Sequence, residues 1–194
     1  MSESALVLDD VVAAAGPRQG RCDRLAGTPV PRTLVPVAAV VGTVARPGQF
    51  DRTFRPLTRR ARRRAEHIAR LQAAGAVLPP VRLARVGGLY FVEDGHHRVA
   101  AAVAAGRPTV AAAIRPVCTV ATVPSGLRRA DLARLAAERE FLRAVPLPDA
   151  ATVQLAALPH VDHAELARRA RRWCGGRVDP AGAAAWWAAE MQAG

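Results

Sequence analysis

The apolar and polar positions in the first half of the chain predict a strand followed by an amphipathic helix. Residues 34–41 form a β-prone apolar run, which predicts a strand that leads into an irregular loop. Thr58 is a suitable N-cap for a helix that continues to about Ala74, because Ala61 and Ala65 fall at helical spacing on one narrow apolar stripe. The rest of this helix surface is dominated by arginine.

The next segment predicts a β-hairpin that runs directly into a loop and a helix. Apolar segments lie on both sides of Gly87-Gly88, a pair that supplies the positive φ required by a tight hairpin turn. The polar run 94–98 follows at once, and an alanine-rich helix over 99–105 and a strand over 109–114 come after it. This order predicts a unit of hairpin, loop, helix and strand.

The two ends of the chain differ from this central unit. Residues 1–33 mix a short apolar stretch with several glycines and prolines, which predicts a flexible N-terminal arm. Residues 34–123 hold the central unit, and residues 124–194 change to a helical pattern broken by proline and glycine. The helices predicted there cover residues 125–143, 161–173 and 180–191. The expected fold class is therefore α+β, with a small mixed sheet, packed helices and a helical C-terminal extension.

Composition adds a strong charge imbalance to this picture. The 28 basic residues are all arginine and stand against 16 acidic residues, which gives a net charge of +12. Uniform arginine and abundant alanine are typical of a GC-rich genome, so arginine content alone proves little. The positive field still raises the local concentration of nucleotides, nucleic acids or anionic lipid. An anionic partner is therefore favoured.

The cysteines and the apolar runs indicate in which cellular compartment the protein is expected. Cys22, Cys118 and Cys174 are odd in number, lie far apart and form no C-x-x-C pair, which fits reduced thiols and argues against zinc. The N-terminal segment is acidic, and the apolar run 34–41 is too short to cross a bilayer. We therefore expect a cytoplasmic protein with no membrane partner.

The run Asp94-Gly95-His96-His97-Arg98 is the segment best suited to chemistry. A glycine where a strand turns into a helix lets backbone N–H groups approach a ligand closely, and the helix N-terminus adds partial positive charge. Arg98 would lie in the first helical turn and grip phosphate oxygens, with His96 and His97 as further donors. Asp94 is a candidate catalytic base, or a ligand that holds magnesium through water.

A purely structural role for this loop is the alternative. In that case Asp94 only accepts hydrogen bonds at the turn, one histidine packs in the interior, and Arg98 pairs with a carboxylate such as Glu93. The residues alone leave both interpretations open, because a short loop with one glycine is much less specific than a Walker motif.

Three segments taken in order resemble the ParB/sulfiredoxin superfamily: Leu78-Pro79-Pro80-Val81, Gly87-Gly88-Leu89-Tyr90-Phe91-Val92 and Asp94-Gly95-His96-His97-Arg98-Val99. The resemblance is greatest to small actinobacterial ParB-like proteins with a D-G-H-H-R or D-G-N-H-R loop, and it covers residues from about 35 to 115. In this superfamily the loop binds nucleotide phosphates. ParB proteins bind CTP with G-E-R-R, sulfiredoxins bind ATP with G-C-H-R, and ADP-dependent free serine kinases carry D-G-H-T-R. Gly95 and Arg98 match all three patterns.

Some residues depart from the family patterns, and these departures disfavour several of the activities known in the superfamily. His96 stands where sulfiredoxins have their catalytic cysteine, so sulfinic acid reduction is disfavoured. His96 and His97 replace the Glu-Arg of the ParB loop, so a preference for cytosine does not carry over. Nuclease activity is also disfavoured, because phosphodiester hydrolysis would need metal-binding carboxylates beyond Asp94. No helix-turn-helix that would read a DNA sequence is recognisable after residue 124.

The loop and the resemblance together predict a protein that grips the phosphates of a nucleoside di- or triphosphate, with ATP, ADP or CTP and Mg²⁺ as the candidate ligands. Arg46 matches the upstream arginine of ParB proteins and would close over the phosphates, beside Gly95, His96, His97 and Arg98. NTP hydrolysis and phosphoryl transfer are both compatible with such a site, and no residue establishes either. The oligomeric state also stays open, a homo-oligomer included.

A non-enzymatic nucleic-acid-binding module is the alternative from another class. The segment from Arg52 to Arg70 contains eight arginines and one glutamate. The arginine-rich helix predicted in this segment could bind a phosphate backbone without sequence preference. Arg59, Arg60, Arg62 and Arg63 are its candidate contacts. A solvated surface is the simpler explanation of the same residues, and an adaptor that uses the tryptophan-bearing helices is a third function class.

Overall fold

The computed structural model describes two compact parts of the chain. The residues described are 4–18, 30–158 and 161–192, without the side chains of 30–32. The first unit comprises Met1–Val12 and Gln19–Cys118, and the second comprises Ala13–Arg18 and Thr119–Gly194. The described residues form a six-stranded mixed sheet and seven α-helices, which confirms the predicted α+β class.

The first unit is built on the sheet, whose strands are not adjacent in sequence order. The strands are β1 (Leu6–Val7), β2 (Val30–Pro36), β3 (Val40–Thr43), β4 (Val81–Val86), β5 (Leu89–Asp94) and β6 (Thr109–Pro116). Their order across the sheet is β1-β3-β5-β4-β6-β2. The pairs β1/β3, β3/β5 and β4/β6 are parallel, whereas β4/β5 and β2/β6 are antiparallel. The predicted hairpin is therefore the antiparallel centre of the sheet.

Two helices pack together with this sheet. The first begins where the sequence predicted, whereas the second begins at His96, three residues before the predicted start of the 99–105 helix. The helices of the first unit include α2 (Arg59–Ala73) and α3 (His96–Ala104). The Thr58 side chain accepts a hydrogen bond of 3.1 Å from the backbone N–H of Ala61, as expected of an N-cap. Ala61 and Ala65 are buried in the same hydrophobic core as strand residues such as Leu83. This burial fixes which side of α2 faces solvent.

The second unit is helical and has its own core. It contains α4 (Leu132–Ala144), α5 (Asp149–Ala157), α6 (His163–Trp173) and α7 (Pro180–Gln192). Trp186 and Trp187 are buried, and Trp186 packs against Phe141 with ring centroids 6.4 Å apart, as predicted for a structural role. Trp173 differs, because 55% of it is exposed. Helix α5 was not predicted.

Two regions of the first half differ from the sequence expectations. The run 34–41 is not one strand, because β2 ends at Pro36, Val37–Ala39 form a 3₁₀ helix, and β3 starts at Val40. Proline lacks the N–H that would continue a strand ladder. Within the predicted arm 1–33, β1 and α1 (Leu8–Ala15) are regular elements with buried residues, whereas residues 1–3 and 19–29 lie outside the described part.

Of the two cysteines in the described part of the chain, one contradicts the expectation that the thiols are reduced. Cys118 is disulfide-bonded, whereas Cys174 is a free thiol. Cys22 lies outside the described residues. Disulfides are rare in reducing compartments. Reduced thiols therefore no longer support the prediction of a cytoplasmic protein. In the described part of the chain, none of the helices is long and apolar enough to cross a membrane.

Candidate functional site

The sheet topology brings two loops together at one edge. Strands β3 and β5 are parallel neighbours, so their carboxyl ends lie side by side, with Thr43 ending β3 and Asp94 ending β5. The backbone N–H of Val44 donates to the carbonyl of Val92 at 3.0 Å, which continues the pairing past the end of β3. The segment that carries Arg46 therefore lies beside the turn that begins α3.

Gly95 is the residue that makes the turn from β5 into α3. It has φ +95° and is the N-cap of α3. A Cβ placed there would lie 2.7 Å from Val81 Cγ1 and 3.0 Å from guanidinium nitrogens of Arg98, so both the backbone conformation and the space require glycine. Because the N-cap has no side chain, no side-chain oxygen caps the first N–H groups of α3. The Arg98 backbone N–H donates to the Gly95 carbonyl at 2.8 Å, so the backbone N–H groups of His96 and His97 are the ones available to an anion.

His96 is held in one tautomer by Thr43. The Thr43 hydroxyl oxygen accepts from the backbone N–H groups of Ala45 and Arg46, at 3.3 and 3.0 Å. With both lone pairs used, its proton is directed to His96 Nε2 at 2.7 Å, which places the ring proton on Nδ1. Burial, together with the charges of Arg46 and His97, lowers the pKa of His96 to about 4 against the opposing effect of Asp94. His96 is thus a neutral, fixed side chain.

The depressed pKa of His96 predicts a stability that declines in mild acid. A histidine in the unfolded chain titrates near pH 6.5. Between that pH and about 4, His96 is therefore protonated in the unfolded chain and neutral in the folded one. Stability is therefore full above pH 6.5 and is lost as pH falls towards 4, by on the order of 2–3 kcal/mol from this ring. Burial also lowers the pKa values of His97 and His163, which adds to the same trend.

Urea unfolding at a series of pH values measures the total loss, and an NMR titration assigns the share of His96. We expect its ring signals to titrate near pH 4. Titration of His96 near 6.5 would contradict the role given to Thr43 and to burial.

His97 lies between aromatic rings and arginines. Its ring centroid is 5.6 Å from that of Phe50, which also stacks on His96 at 5.8 Å. Burial lowers the pKa of His97, and the charges of Arg46 and Arg64 lower it further, against a backbone interaction with Ala61. Both ring nitrogens are inaccessible to solvent and make no well-formed hydrogen bond. A buried polar group without a partner is costly unless a ligand satisfies it.

The aromatic side of the site rests on a tight turn. Phe50 and Phe54 are fully buried and stack at 5.2 Å, and Phe54 has the positive φ of +60°. A carboxylate oxygen of Asp51 accepts from the backbone N–H groups of Thr53 and Arg55, both at 2.9 Å, which holds this turn. These bonds offset the strain of a left-handed phenylalanine and keep the ring against the histidines.

Arg98 is engaged within the protein. Its guanidinium donates to the carbonyl oxygens of Pro79 and Pro80, the latter at 3.0 Å, and pairs with Asp94 Oδ2 at 2.7 Å. Its side chain is only 15% exposed. This matches part of the structural alternative, although the carboxylate is Asp94, since Glu93 pairs with Arg115. A phosphate grip by Arg98, and a metal or base role for Asp94, would each require this ion pair to open.

The structure adds two residues to the site, and it brings one side of the arginine helix α2 to His97. Thr43 and Arg64 were not singled out, because a threonine at a strand end and one arginine in a run of arginines are common. Arg64 is the arginine of α2 whose charge acts on His97. The other candidate arginines of α2 are exposed, and none is in a resolved contact with the loop; they are Arg59, Arg60, Arg62 and Arg63.

Metal ligands are scarce at this site. Within residues 4–18, 30–158 and 161–192, no three His, Cys, Asp or Glu side chains group closely enough to hold a metal ion. Asp94 is paired with Arg98, and the Asp51 carboxylate accepts bonds within its own turn. The residues present therefore do not fit a magnesium site built by the protein alone.

Comparisons with known proteins give partial structural likeness only. No family model and no curated protein matches the chain. Sulfiredoxin from Arabidopsis thaliana is 22% identical with a TM-score of 0.31, over 44% of this chain and 84% of that chain. A conserved hypothetical protein from Pyrococcus furiosus is 19% identical with a TM-score of 0.34, over 47% and 35%. A free serine kinase in complex with AMP is 18% identical with a TM-score of 0.33, over 47% and 34%. The chain thus spans a minor part of the latter two proteins, and these likenesses carry no argument about activity.

Proposed function

We propose that this chain binds a nucleoside di- or triphosphate through its phosphates at the N-terminus of α3. The observation that carries the proposal is the convergence of positive charge at His97: a start of α3 without a side-chain cap, a buried ring whose nitrogens make no well-formed hydrogen bond, and the charges of Arg46 and Arg64. Neither arginine forms an ion pair with a carboxylate in the described part of the chain. An anion with several oxygens accepts from the backbone N–H groups at the start of α3, and its charge balances those of Arg46 and Arg64.

The motif resemblance to the ParB/sulfiredoxin superfamily supports the same assignment. Its members bind nucleotide phosphates with this loop, and Gly95 and Arg98 match their patterns. In this proposal Gly95 allows close approach of the backbone, and Arg46 and Arg64 contact phosphate oxygens. His97 contacts them only after its ring moves, because both of its nitrogens are closed to solvent. His96 stays neutral and supports the loop from the side of β3.

Binding is better supported than turnover. Asp94 is the carboxylate nearest in sequence to the phosphate loop, and it acts as a base or as a metal ligand only after Arg98 releases it. Magnesium would enter as the counterion of the phosphates, which supply the oxygen ligands that the protein lacks. The proposed function is therefore nucleotide binding, with hydrolysis or phosphoryl transfer conditional on opening of the Asp94–Arg98 pair.

A thermal-shift panel tests this function directly. ATP, ADP, CTP and GTP are added with magnesium and with EDTA, and adenosine and cytidine are the controls that lack phosphates. A nucleotide at about 100 times its dissociation constant stabilises the fold by about 2.7 kcal/mol. We expect at least one nucleotide to raise the melting temperature and both nucleosides to leave it unchanged. A panel in which no nucleotide differs from its nucleoside would refute the proposal.

A further inference from the structure

The outer face of α2 is a row of exposed arginines. Since Ala61 and Ala65 face the core, the helical repeat of 100° per residue places Arg59, Arg63 and Arg70 on the opposite side. Arg60 and Arg62 flank this row, and all five are exposed. We call these five residues the α2 arginine face. Arg64 lies outside the set, because it belongs to the phosphate site.

The α2 arginine face is not neutralised by carboxylates. Among the described residues, none of its five arginines forms an ion pair, and Glu66 is the one acidic residue of α2. The helices of the second unit behave differently, since most of their arginines pair with glutamates at 2.6–4.0 Å. The arginines paired there are Arg134, Arg139, Arg143, Arg168, Arg169 and Arg172. A genome-wide preference for arginine does not explain this difference between two units of one chain.

The arrangement is unfavourable for an isolated helix. Arg59 and Arg63 are like charges at i,i+4, and both lie near the positive end of the helix macrodipole. The first turn contains no acidic residue that would offset them. An external polyanion removes both penalties, because it supplies negative charge along the exposed side of the first turns.

We infer that the α2 arginine face binds the phosphate backbone of duplex DNA without reading its sequence. Arg59 and Arg63 are about 6 Å apart along the helix axis, and Arg70 lies about 10.5 Å beyond Arg63, since each residue rises about 1.5 Å. Duplex DNA presents about one negative charge per 1.7 Å of its axis, so several guanidiniums meet phosphates at once. Contacts of this kind position a protein on DNA and carry no sequence information.

Fluorescence anisotropy on a labelled random-sequence duplex tests the inference with the full-length chain. If about four phosphates are neutralised, log affinity falls with log salt at a slope near −3.6. A second random duplex should bind within about twofold, because backbone contacts are shared by all sequences. The double variant Arg59→Glu/Arg63→Glu should weaken binding by at least about tenfold and reduce the slope towards −1.8.

The matched control is Arg107→Glu/Arg177→Glu. Both arginines are exposed outside α2 and have no ion pair within the described residues, so the two variants change the net charge equally. We expect the control to bind DNA nearly as the wild type does. The α2 variant should melt no lower than the wild type, since acidic residues near a helix N-terminus are favourable. It should also keep any nucleotide-induced thermal shift, which separates this inference from the proposed function.

Three results would overturn the inference. Equal loss of binding in both variants would show an effect of net charge and not of the α2 arginine face. Competition by polyglutamate as effective as by unlabelled duplex would show a general polyanion surface. A wild-type protein whose affinity for the duplex is too weak to measure at low salt would remove the interaction altogether.

Discussion

Replacement of Gly95 by alanine is expected to unfold the loop 94–98, the proposed phosphate site, and to abolish nucleotide binding. The new Cβ would stand at φ +95°, 2.7 Å from Val81 and 3.0 Å from the guanidinium of Arg98. The left-handed conformation and the overpacking together should cost about 2–4 kcal/mol of unfolding free energy. Because Arg98 also ties the loop to Pro79, Pro80 and Asp94, its displacement moves the start of α3. We expect nucleotide affinity to fall by at least about 100-fold, or more than about 2.7 kcal/mol.

Gly75→Ala is the matched control for this substitution. Gly75 has a similar φ of +84°, but a Cβ there would meet no atom within 4 Å. It should therefore lose only the conformational part, about 1–2 kcal/mol, and keep nucleotide binding. Urea unfolding and calorimetric titration with the best nucleotide of the thermal-shift panel measure both quantities. Equal destabilisation of the two variants would show that Val81 and Arg98 do not crowd the loop.

The double variant Arg46→Ala/Arg64→Ala is expected to have the second large effect, on binding and not on folding. Hydrogen bonds to charged groups contribute about 1.5–3 kcal/mol each, so loss of both should weaken nucleotide binding by at least about 100-fold. The free protein gives an independent signal, because both arginines lower the pKa of His97. Their removal should raise that pKa in an NMR titration without any ligand present.

The charge-matched control is Arg62→Ala/Arg63→Ala, which removes two arginines from the exposed side of the same helix. We expect it to keep nucleotide affinity and to leave the pKa of His97 in place. If both double variants bind nucleotide equally well, the convergence of Arg46 and Arg64 on His97 has no role in phosphate binding. A changed His97 pKa with unchanged affinity would show that the two arginines lie near His97 but do not contact the phosphates.

Local signals made the centre of the fold predictable. The N-cap at Thr58, the Gly87-Gly88 turn and the glycine before His96 each act within a few residues, and each begins or joins an element where expected. Strand β1 was missed because it is only two residues long and pairs with β3, far along the chain. Pro36 divides a run whose composition alone favours one strand.

The loop residues of the candidate site could be predicted from the sequence, but the residues that surround the loop could not. Gly95 and the two histidines stand out in the sequence, but the partners of Arg98 depend on where β4 begins. Arg64 looks like its neighbours until the burial of Ala61 and Ala65 fixes the rotation of α2. Thr43 reaches His96 only because β3 and β5 are parallel neighbours, a pairing that no local pattern encodes.

The order of strands across the sheet also constrains the sequence of events during synthesis. Strand β2 leaves the ribosome early, yet its partner is β6, the last strand of the sheet, which also pairs with the outer side of β4. Until Thr109–Pro116 has emerged, both β2 and β4 present unpaired strand edges of the kind that template aggregation. A nascent chain stalled before Pro116 should therefore depend on a chaperone, while the β4–β5 hairpin can already form from local contacts.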